Sequence, residues 1–434
     1  MSATEQTIEG HEQRRVLVIG AGGAGLAAAL EASRAGASVT ILEAAKQVGG
    51  ATVRAGGVIY TVEMHMQNEA GVTDTVDELY AYYMTISHYR LEPQKMGVEF
   101  PPKGLYIAGL ETRPRGHKAS GDTAGLGPAG GAAIVAALLR AECSVLLRAK
   151  NGATSGIETE DGEEIKADAV VLAADGFGAS SDMLARFYSN ASVHGDWHWY
   201  IGPSENRGDG LEMGLAAGGM VVNENAGVLM ETPNCSSVVD AFTPPWLVFV
   251  NNCGHRFVNE MASYCVLGNV IGAQPNGRCW AIFDEYALTV ATEDPVFTDP
   301  SPTAKIVKAD TLKGLATAIT IAPDGLVATF ESWNEDVKKG YDSTFEKPPT
   351  MLLPVSKTPF YAVELGPAII GMTFAGLRID DKARVLNSAG RPIAGLYAAG
   401  ELAGGLIGWI YSGGGVSIGM QLHSVVSRAM VLPV

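Results

Sequence analysis

Residues 15–25 read RVLVIGAGGAG, a short apolar run followed directly by closely spaced glycines. The apolar part is rich in β-branched residues and predicts a strand that is buried on both faces. Leu26 to Ala35 consists mainly of good helix formers and stops at Gly36, and Ser38 to Leu42 predicts a second strand. A strand, a helix and a strand within about 30 residues predict a βαβ unit with parallel strands.

The glycines of this stretch, Gly20, Gly22 and Gly25, have the spacing G-x-G-x-x-G between the strand and the helix. In this motif the first glycine permits a tight turn, the second lets a pyrophosphate approach the backbone, and the third allows close helix–strand packing. The helix N-terminus adds free N–H groups and the positive end of a dipole. Glu43 ends the second strand, where an acidic side chain binds ribose hydroxyls. The sequence therefore predicts a dinucleotide site.

The composition predicts a folded, acidic protein. Its 434 residues are enough for two or three domains, and 47% apolar against 18% charged residues argue against disorder. The net charge of −16 disfavours nonspecific binding to nucleic acid or to an anionic membrane surface. Five cysteines without a CxxC pair predict a reducing compartment and neither a disulfide framework nor a metal site. Without a long apolar stretch or a signal-peptide pattern, we expect a cytoplasmic protein with no membrane span.

The chain changes character between about 229 and 356, where proline-marked breaks separate aromatic strands from two helical stretches. Strand-rich patterns precede and follow this region. We therefore predict an α/β fold, in which a discontinuous Rossmann-like domain (residues 13–228 and 357–434) is interrupted by an inserted α+β cap domain (residues 229–356). Residues 1–12 are expected to form a flexible tail.

A second glycine-rich run, GGATVRAGG at 49–57, follows Glu43 almost directly, where nicotinamide dehydrogenases usually have an ordinary helix. A further glycine-bearing strand end, Ala398 to Glu401, lies near the C-terminus. Two distant glycine-rich segments around one Rossmann core favour a long, extended cofactor that is held at both ends. This pattern favours FAD over NAD.

With these motifs the chain resembles the flavoproteins of the fumarate reductase and 3-ketosteroid dehydrogenase superfamily over nearly its whole length. The matching stretches are VIGAGGAGLAAALEASRAGASVTILE (18–43), VGGATVRAGG (48–57), AVVLAADGFGA (169–179), RGDGLEMGLAAGG (207–219), GHRFVNE (254–260) and GRPIAGLYAAGELAGG (390–405). The resemblance implies an FAD-binding domain in the Rossmann-like part. No histidine is placed for covalent attachment, so noncovalent FAD is expected.

The resemblance also implies which residues contact FAD, beyond Gly20, Gly22, Gly25 and Glu43. Glu401 would bind the ribityl or ribose part, the 49–57 run would line the pyrophosphate and isoalloxazine, and residues 417–418 would face the flavin pyrimidine. The further cofactor-binding residues expected are Gly49, Gly50, Ala51, Thr52, Gly56, Gly57, Asp175, Gly400, Glu401, Ser417 and Ile418.

The C-terminal glycine-rich segment lacks a carboxylate clamp. Dicarboxylate reductases of this superfamily carry the pattern G-G-x-H-G-x-N-R-x-G-G, whose His and Arg hold a substrate carboxylate. Here residues 404–414 read GGLIGWIYSGG, so Ile407 replaces the histidine and Tyr411 replaces the arginine. Because an apolar, aromatic site cannot hold a dicarboxylate in this way, fumarate reduction is disfavoured.

The same segment, YSGGGVSIG at 411–419, resembles the Y-x-G-x-G-x-x-I-G segment of 3-ketosteroid dehydrogenases. There the tyrosine hydroxyl and the last glycine's N–H bond the ketone oxygen, which implies catalytic roles for Tyr411 and Gly415. Tyr264 follows the GHRFVNE motif by four residues, the offset of the proposed α-proton base in that family. Because a free tyrosine has a pKa near ~10, such a base needs help from a neighbour or from the flavin. The superfamily's other route uses an arginine base from the cap, and no position can be carried over for it, although Arg256 and Arg278 lie nearby.

We therefore predict FAD-dependent α,β-dehydrogenation of a cyclic ketone, with a proton lost to tyrosine and a hydride lost to FAD. Both a 3-ketosteroid and a small oxocyclohexane-type substrate remain open, and the short chain favours the small ring. The reduced flavin needs an external acceptor, which could be oxygen, a quinone or a redox protein. The alternatives are an ene-reductase that reduces an activated C=C bond and a redox-inactive flavin-binding module.

Overall fold

The computed structural model describes residues 13–60, 163–192, 199–233, 246–290 and 306–405, with shorter pieces between 62 and 159 and at 244. Within these ranges the helices are α1 (Gly23–Arg34), α2 (His65–Glu69), α3 (Ser181–Phe187), α4 (Ser189–Ser192), α5 (Asp209–Ala216), α6 (Tyr264–Gly272), α7 (Glu285–Val290), α8 (Leu312–Ala318) and α9 (Pro323–Lys339). Short 3₁₀ turns cover Gly50–Arg54, Pro275–Gly277, Pro349–Met351 and Gly400–Leu402.

The strands in the same ranges are β1 (Arg15–Ile19), β2 (Ser38–Leu42), β3 (Val58–Tyr60), β4 (Leu105–Tyr106), β5 (Gly116–Lys118), β6 (Leu146–Leu147), β7 (Gly152–Ala153), β8 (Gly156–Glu158), β9 (Glu164–Lys166), β10 (Ala169–Leu172), β11 (Trp199–Tyr200), β12 (Val221–Val222), β13 (Gly227–Pro233), β14 (Val248–Val250), β15 (Cys279–Asp284), β16 (Val307–Ala309), β17 (Phe360–Thr373), β18 (Gly376–Arg378), β19 (Arg384–Leu386), β20 (Pro392–Ala398) and β21 (Ala403–Gly404).

The main sheet has six strands in the order β19-β20-β10-β1-β2-β6. All neighbouring pairs from β20 to β6 are parallel, and β19 runs antiparallel at one edge. Four of the five residues of β1 are buried, which fits a central parallel strand covered on both faces. The predicted βαβ unit is confirmed, with α1 between β1 and β2. The helix begins at Gly23 because the glycine motif itself forms its first turn.

The strand register of this sheet brings four chain segments to one edge. Ile19 pairs with Leu42 on one side and with Leu172 on the other, and Leu172 pairs with Ala398. The residues that follow these four strand ends therefore meet outside the carboxyl edge of the sheet, which is where ligands bind in open α/β sheets.

The second large sheet is built around the long strand β17. β15 and β16 pair with its first half, β11 and β13 pair with its second half, and β14 extends the sheet beyond β15. Helix α6 packs on β13 so closely that a Cβ on Gly268 would collide with the carbonyl oxygen of Leu229. This sheet includes β11 and β17, which lie outside the predicted cap range of 229–356.

Separate apolar clusters support the two sheets. The main cluster surrounds β1, α1 and β10, and two smaller ones lie on opposite faces of β14 and β15. In the part of the chain described above, no helix has both the length and the apolar character needed to cross a membrane.

Candidate functional site

The loop between β1 and α1 depends on its glycines. Gly20 has a φ of +103°, and a Cβ there would collide with the carbonyl oxygen of Ala173 on the neighbouring strand end. A Cβ on Gly25 would collide with the carbonyl oxygen of Gly20, so only glycine lets α1 start this close to β1. Around Gly22, in contrast, a Cβ would meet its nearest heavy atoms at 3.9 Å. At Gly22 a side chain would therefore make ordinary contacts with Asp175 and Gly49, without a collision.

Glu43 lies against this loop at the end of β2. Its Oε2 accepts a hydrogen bond from the N–H of Ala21 at 2.8 Å, and its Oε1 accepts one from the N–H of Ala45 at 2.8 Å. The carboxylate is therefore held beside the start of α1, at the carboxyl edge of the main sheet. This location matches the position expected for an acid that binds ribose hydroxyls.

The second glycine run folds onto the first. The N–H of Gly49 donates to the carbonyl of Ala21 at 2.8 Å, and the N–H of Gly23 donates to Thr52 Oγ1 at 3.0 Å. Gly49 and Gly50 have positive φ angles of 121° and 50°, which glycine adopts without strain. The structure therefore places the 49–52 segment against the N-terminus of α1.

The remaining residues of this run continue away from that contact. Gly56 and Gly57 follow the 3₁₀ turn, and Gly57 is buried with a φ of +68°. For β3, which comes next, only the backbone is described.

Two carboxyl groups from distant segments join the same edge. Asp175 follows β10 with a φ of +55°, and its Oδ2 accepts a hydrogen bond from the N–H of Ala51 at 3.1 Å. Glu401 follows β20, and its Oε1 accepts bonds from the N–H and the hydroxyl of Thr373 at 2.8 and 2.7 Å. Burial raises the pKa of Glu401 to about 7, and the charge of Asp175 adds to the effect. Next to Glu401, Gly400 packs on Ala24 with a φ of +75°.

These residues fit a dinucleotide such as FAD. A helix N-terminus at the end of a Gly-rich turn suits a pyrophosphate. Carboxylates such as Glu43 and Glu401 suit the hydroxyls of ribose and ribityl groups. Sequence segments more than 300 residues apart therefore converge on one crevice at the carboxyl edge of the main sheet.

Tyr264 is not part of the segments that form the crevice. It is the first residue of α6, where it is half-buried against the main apolar cluster. The loop before it is fixed by Asn259. Its Oδ1 accepts a hydrogen bond from the N–H of Met261 at 2.9 Å, and its Nδ2 donates to the carbonyl of Phe345 at 3.0 Å. The backbone that presents Tyr264 is therefore anchored.

A buried charge cluster continues this anchor. Glu260 has no exposed side-chain surface and pairs with both Arg256 and Lys347 at 2.9 Å. Arg256 also contacts both carboxylate oxygens of Asp342 at 2.8 Å. Lys347 donates in addition to the carbonyl of Leu247 at 2.8 Å. Each charge has a partner, as burial requires. The sequence motif GHRFVNE identified Arg256 and Glu260, but nothing in the sequence pointed to Asp342 or Lys347.

Sequence reasoning also missed Glu231, which lies in β13 with its side chain fully buried. Among the described residues neither carboxylate oxygen has a hydrogen-bond partner. Burial raises its pKa to about 8. A single glutamate in an otherwise ordinary strand gives no sequence signal of this kind.

Four of the predicted site residues lie outside the described part of the chain: Tyr411, Gly415, Ser417 and Ile418. The ketone-binding and pyrimidine-facing roles expected for them stay predictions.

Comparison with known proteins agrees with an FAD-binding role of the crevice. The FAD binding domain family matches residues 15–105 and 129–418. Vinyl phenol reductase of Lactiplantibacillus plantarum is 26% identical and covers 96% of both chains. 3-Oxosteroid 1-dehydrogenase of Mycobacterium tuberculosis is 26% identical over 93% of this chain and 95% of its own.

The fold has a close counterpart among solved structures. The crystal structure of 3-ketosteroid-Δ4-(5α)-dehydrogenase from Rhodococcus jostii RHA1, in complex with 4-androstene-3,17-dione, has a TM-score of 0.79 at 22% identity and covers 97% of this chain and 98% of that chain. The predicted resemblance to the fumarate reductase and 3-ketosteroid dehydrogenase superfamily is confirmed. The chain belongs to the FAD binding domain family and is an FAD-dependent oxidoreductase.

Proposed function

We propose that the protein desaturates a cyclic ketone between its α and β carbons, either a small oxocyclohexane-type ring or a 3-ketosteroid. The observation that carries this proposal is Tyr264 at the start of α6, half-buried on an anchored loop. In the sequence it is accompanied by Tyr411 and Gly415, in a segment that has lost the residues of a carboxylate clamp. A phenol and two hydrogen-bond donors suit a ketone and not a dicarboxylate.

In the proposed reaction the substrate loses one proton and one hydride, and a C=C bond forms conjugated to the ketone. Bound FAD supplies the acceptor for the hydride. Tyr411 Oη–H and the Gly415 N–H donate to the ketone oxygen, which stabilises enolate character and acidifies the α C–H. Tyr264, as phenolate, takes the α proton and later releases it to solvent.

FAD would be held by the residues of the crevice. In this proposal Glu43 and Glu401 bind hydroxyl groups of FAD, and the backbone at Gly22 approaches the pyrophosphate. We further propose that the inserted region 229–356 covers the substrate from the side of the second sheet. The electrons then leave to an external acceptor, which could be oxygen, a quinone or a redox protein.

Anaerobic stopped-flow absorbance tests the direction of the reaction. Mixing the yellow protein with 4-oxocyclohexanecarboxylate or with a 3-ketosteroid should bleach the ~450 nm flavin band as the substrate is oxidised. Comparison of the two compounds identifies the substrate class. Absence of bleaching with both, combined with rapid reoxidation of the reduced protein by an enone, would contradict desaturation.

That last outcome would support the second candidate, an ene-reductase that reduces an activated C=C bond. The full-length likeness to a vinyl phenol reductase favours it. The same site could serve both directions, with Tyr264 donating a proton instead of accepting one. Steady-state assays with dithionite-reduced protein and a 4-vinylphenol separate the two proposals.

Tyr411→Phe tests the ketone site. Because the variant loses one of two donors to the developing oxyanion, we expect kcat to fall about 10²- to 10³-fold while FAD stays bound. Tyr341→Phe, at a side chain that is 55% exposed, is the matched control and should keep full activity. Wild-type turnover in Tyr411→Phe would remove this residue from the mechanism.

A further inference from the structure

The carboxyl group of Asp175 lies beside the backbones of Gly22 and Gly50 in the cofactor crevice. Its Oδ2 is 3.9 Å from the position that a Cβ on Gly22 would take and 2.7 Å from the corresponding position on Gly50. It also accepts the hydrogen bond from the N–H of Ala51. Asp175 therefore sits between the two glycine runs and beside the N-terminus of α1, where a pyrophosphate binds in this fold.

The surroundings of Asp175 are mostly acidic. Glu43 faces it from the end of β2, and Glu401 from the turn after β20. Tyr200, on β11, lies near both Asp175 and Glu401, and Arg54, on the 3₁₀ turn, is a cation close to Tyr200. The Arg54 side chain is directed to the carbonyl of Gly202 at 3.4 Å and makes no hydrogen bond to Asp175. No cation in the described chain therefore pairs with this carboxyl group.

The three carboxyl groups differ in the hydrogen bonds that they accept. Both oxygens of Glu43 accept backbone N–H groups, and Oε1 of Glu401 accepts two bonds from Thr373. Asp175 has the N–H of Ala51 and the amide of Asn206. Burial raises the pKa of Asp175, and the charge of Glu43 adds to the effect. The two negative charges of a pyrophosphate would also favour the neutral form of Asp175.

We propose that Asp175 must be neutral for FAD to bind tightly, so that binding takes up a proton at this carboxyl group. The neutral acid donates its O–H to a pyrophosphate oxygen, whereas the ionised form repels the pyrophosphate. By linkage, FAD affinity falls as the pH rises, with a limiting slope of tenfold per pH unit for one proton. This role depends on FAD binding alone and not on the substrate or on the direction of the proposed reaction.

The test measures FAD release from the holoenzyme between pH 6 and 9. Dilute holoenzyme is equilibrated and ultrafiltered, and free FAD is determined in the filtrate by its fluorescence. For the wild type we expect the dissociation constant to rise by up to tenfold per pH unit at the alkaline end. Asp175→Asn keeps a hydrogen-bond donor without the charge, and asparagine tolerates the φ of +55°. We expect its affinity to fall less steeply with pH than that of the wild type and to be at least tenfold tighter at pH 9.

Two further variants test whether Asp175 causes the pH dependence of the FAD affinity. Glu331→Gln, at an exposed carboxyl group on α9, is the matched control and should keep the wild-type slope. Asp175→Gly, which suits the positive φ, should also reduce the slope, and it replaces Asp175→Asn if that variant does not fold. A flat wild-type profile, a slope that is undiminished in both Asp175 variants, or a slope that disappears in Glu331→Gln would overturn the proposal. Other titrating groups, such as Glu231, are present in every variant and cancel in the comparison.

Discussion

Replacing Tyr264 with phenylalanine will lower turnover of a ketone substrate by about 10²- to 10⁴-fold and leave FAD bound. This is the range by which a positioned general base accelerates proton transfer. The substitution removes only the hydroxyl, so the ring keeps its packing against the main apolar cluster. The cofactor crevice is built from other segments, so the flavin spectrum should not change.

A second measurement separates catalysis from packing. If Tyr264 is the base, oxidised wild-type protein should exchange the α protons of a bound ketone with D₂O, which NMR detects without turnover. Tyr264→Phe should abolish this exchange, and the exposed control Tyr341→Phe should not affect it. Proton exchange at the wild-type rate in Tyr264→Phe would show that another group is the base. A rise in KM with unchanged kcat in Tyr264→Phe would mean that Tyr264 only lines the substrate pocket.

The contacts that fix the loop before Tyr264 could be predicted from the sequence only in part. The motif GHRFVNE and the offset of the tyrosine are local, so both are visible in the sequence. The fixation of that loop depends on Asp342, 86 residues after Arg256, and on the carbonyl of Phe345. Pairs at such separation leave no periodic signal, because the fold alone brings them together.

Several residues of the cofactor crevice, in contrast, could be predicted from the sequence. Gly20, Gly25 and Glu43 were predictable because the tight turn, the close helix–strand packing and the strand-end acid each need one residue type at one spacing. Asp175 was expected from its motif, yet its insertion between the two glycine runs was not. That contact depends on how β10 and the 49–52 segment are placed side by side, which only the parallel register determines.

Glu231→Gln will make the protein more stable at alkaline pH, and the reason lies in the surroundings of this side chain. Glu231 is fully buried in β13, and neither of its carboxylate oxygens has a partner within the described ranges. Burial raises its pKa to about 8 from an ordinary value of 4.5. Ionisation in the folded state would leave an unpaired buried charge, so the group is a neutral acid at neutral pH.

The sign of the pH dependence follows from linkage. Between pH 4.5 and 8 the unfolded chain releases the proton of Glu231 while the folded chain keeps it. The free energy of unfolding therefore falls as the pH rises through this window, and it levels off above the folded-state pKa. The stability that the neutral carboxyl preserves at pH 5 is lost by pH 9. The loss from this group between pH 5 and pH 9 is about 4 kcal/mol.

Glutamine has nearly the same shape and no charge, so Glu231→Gln should lack this contribution to the pH dependence. We expect the difference in stability between variant and wild type, measured by denaturant unfolding of the holoenzymes, to shift by about 4 kcal/mol in favour of the variant between pH 5 and pH 9. Comparing this shift instead of the absolute stability cancels any constant effect of the new amide. The exposed Glu69→Gln serves as the control and should show no shift. If Glu231→Gln follows the wild-type profile throughout, Glu231 is ionised and paired in the folded protein.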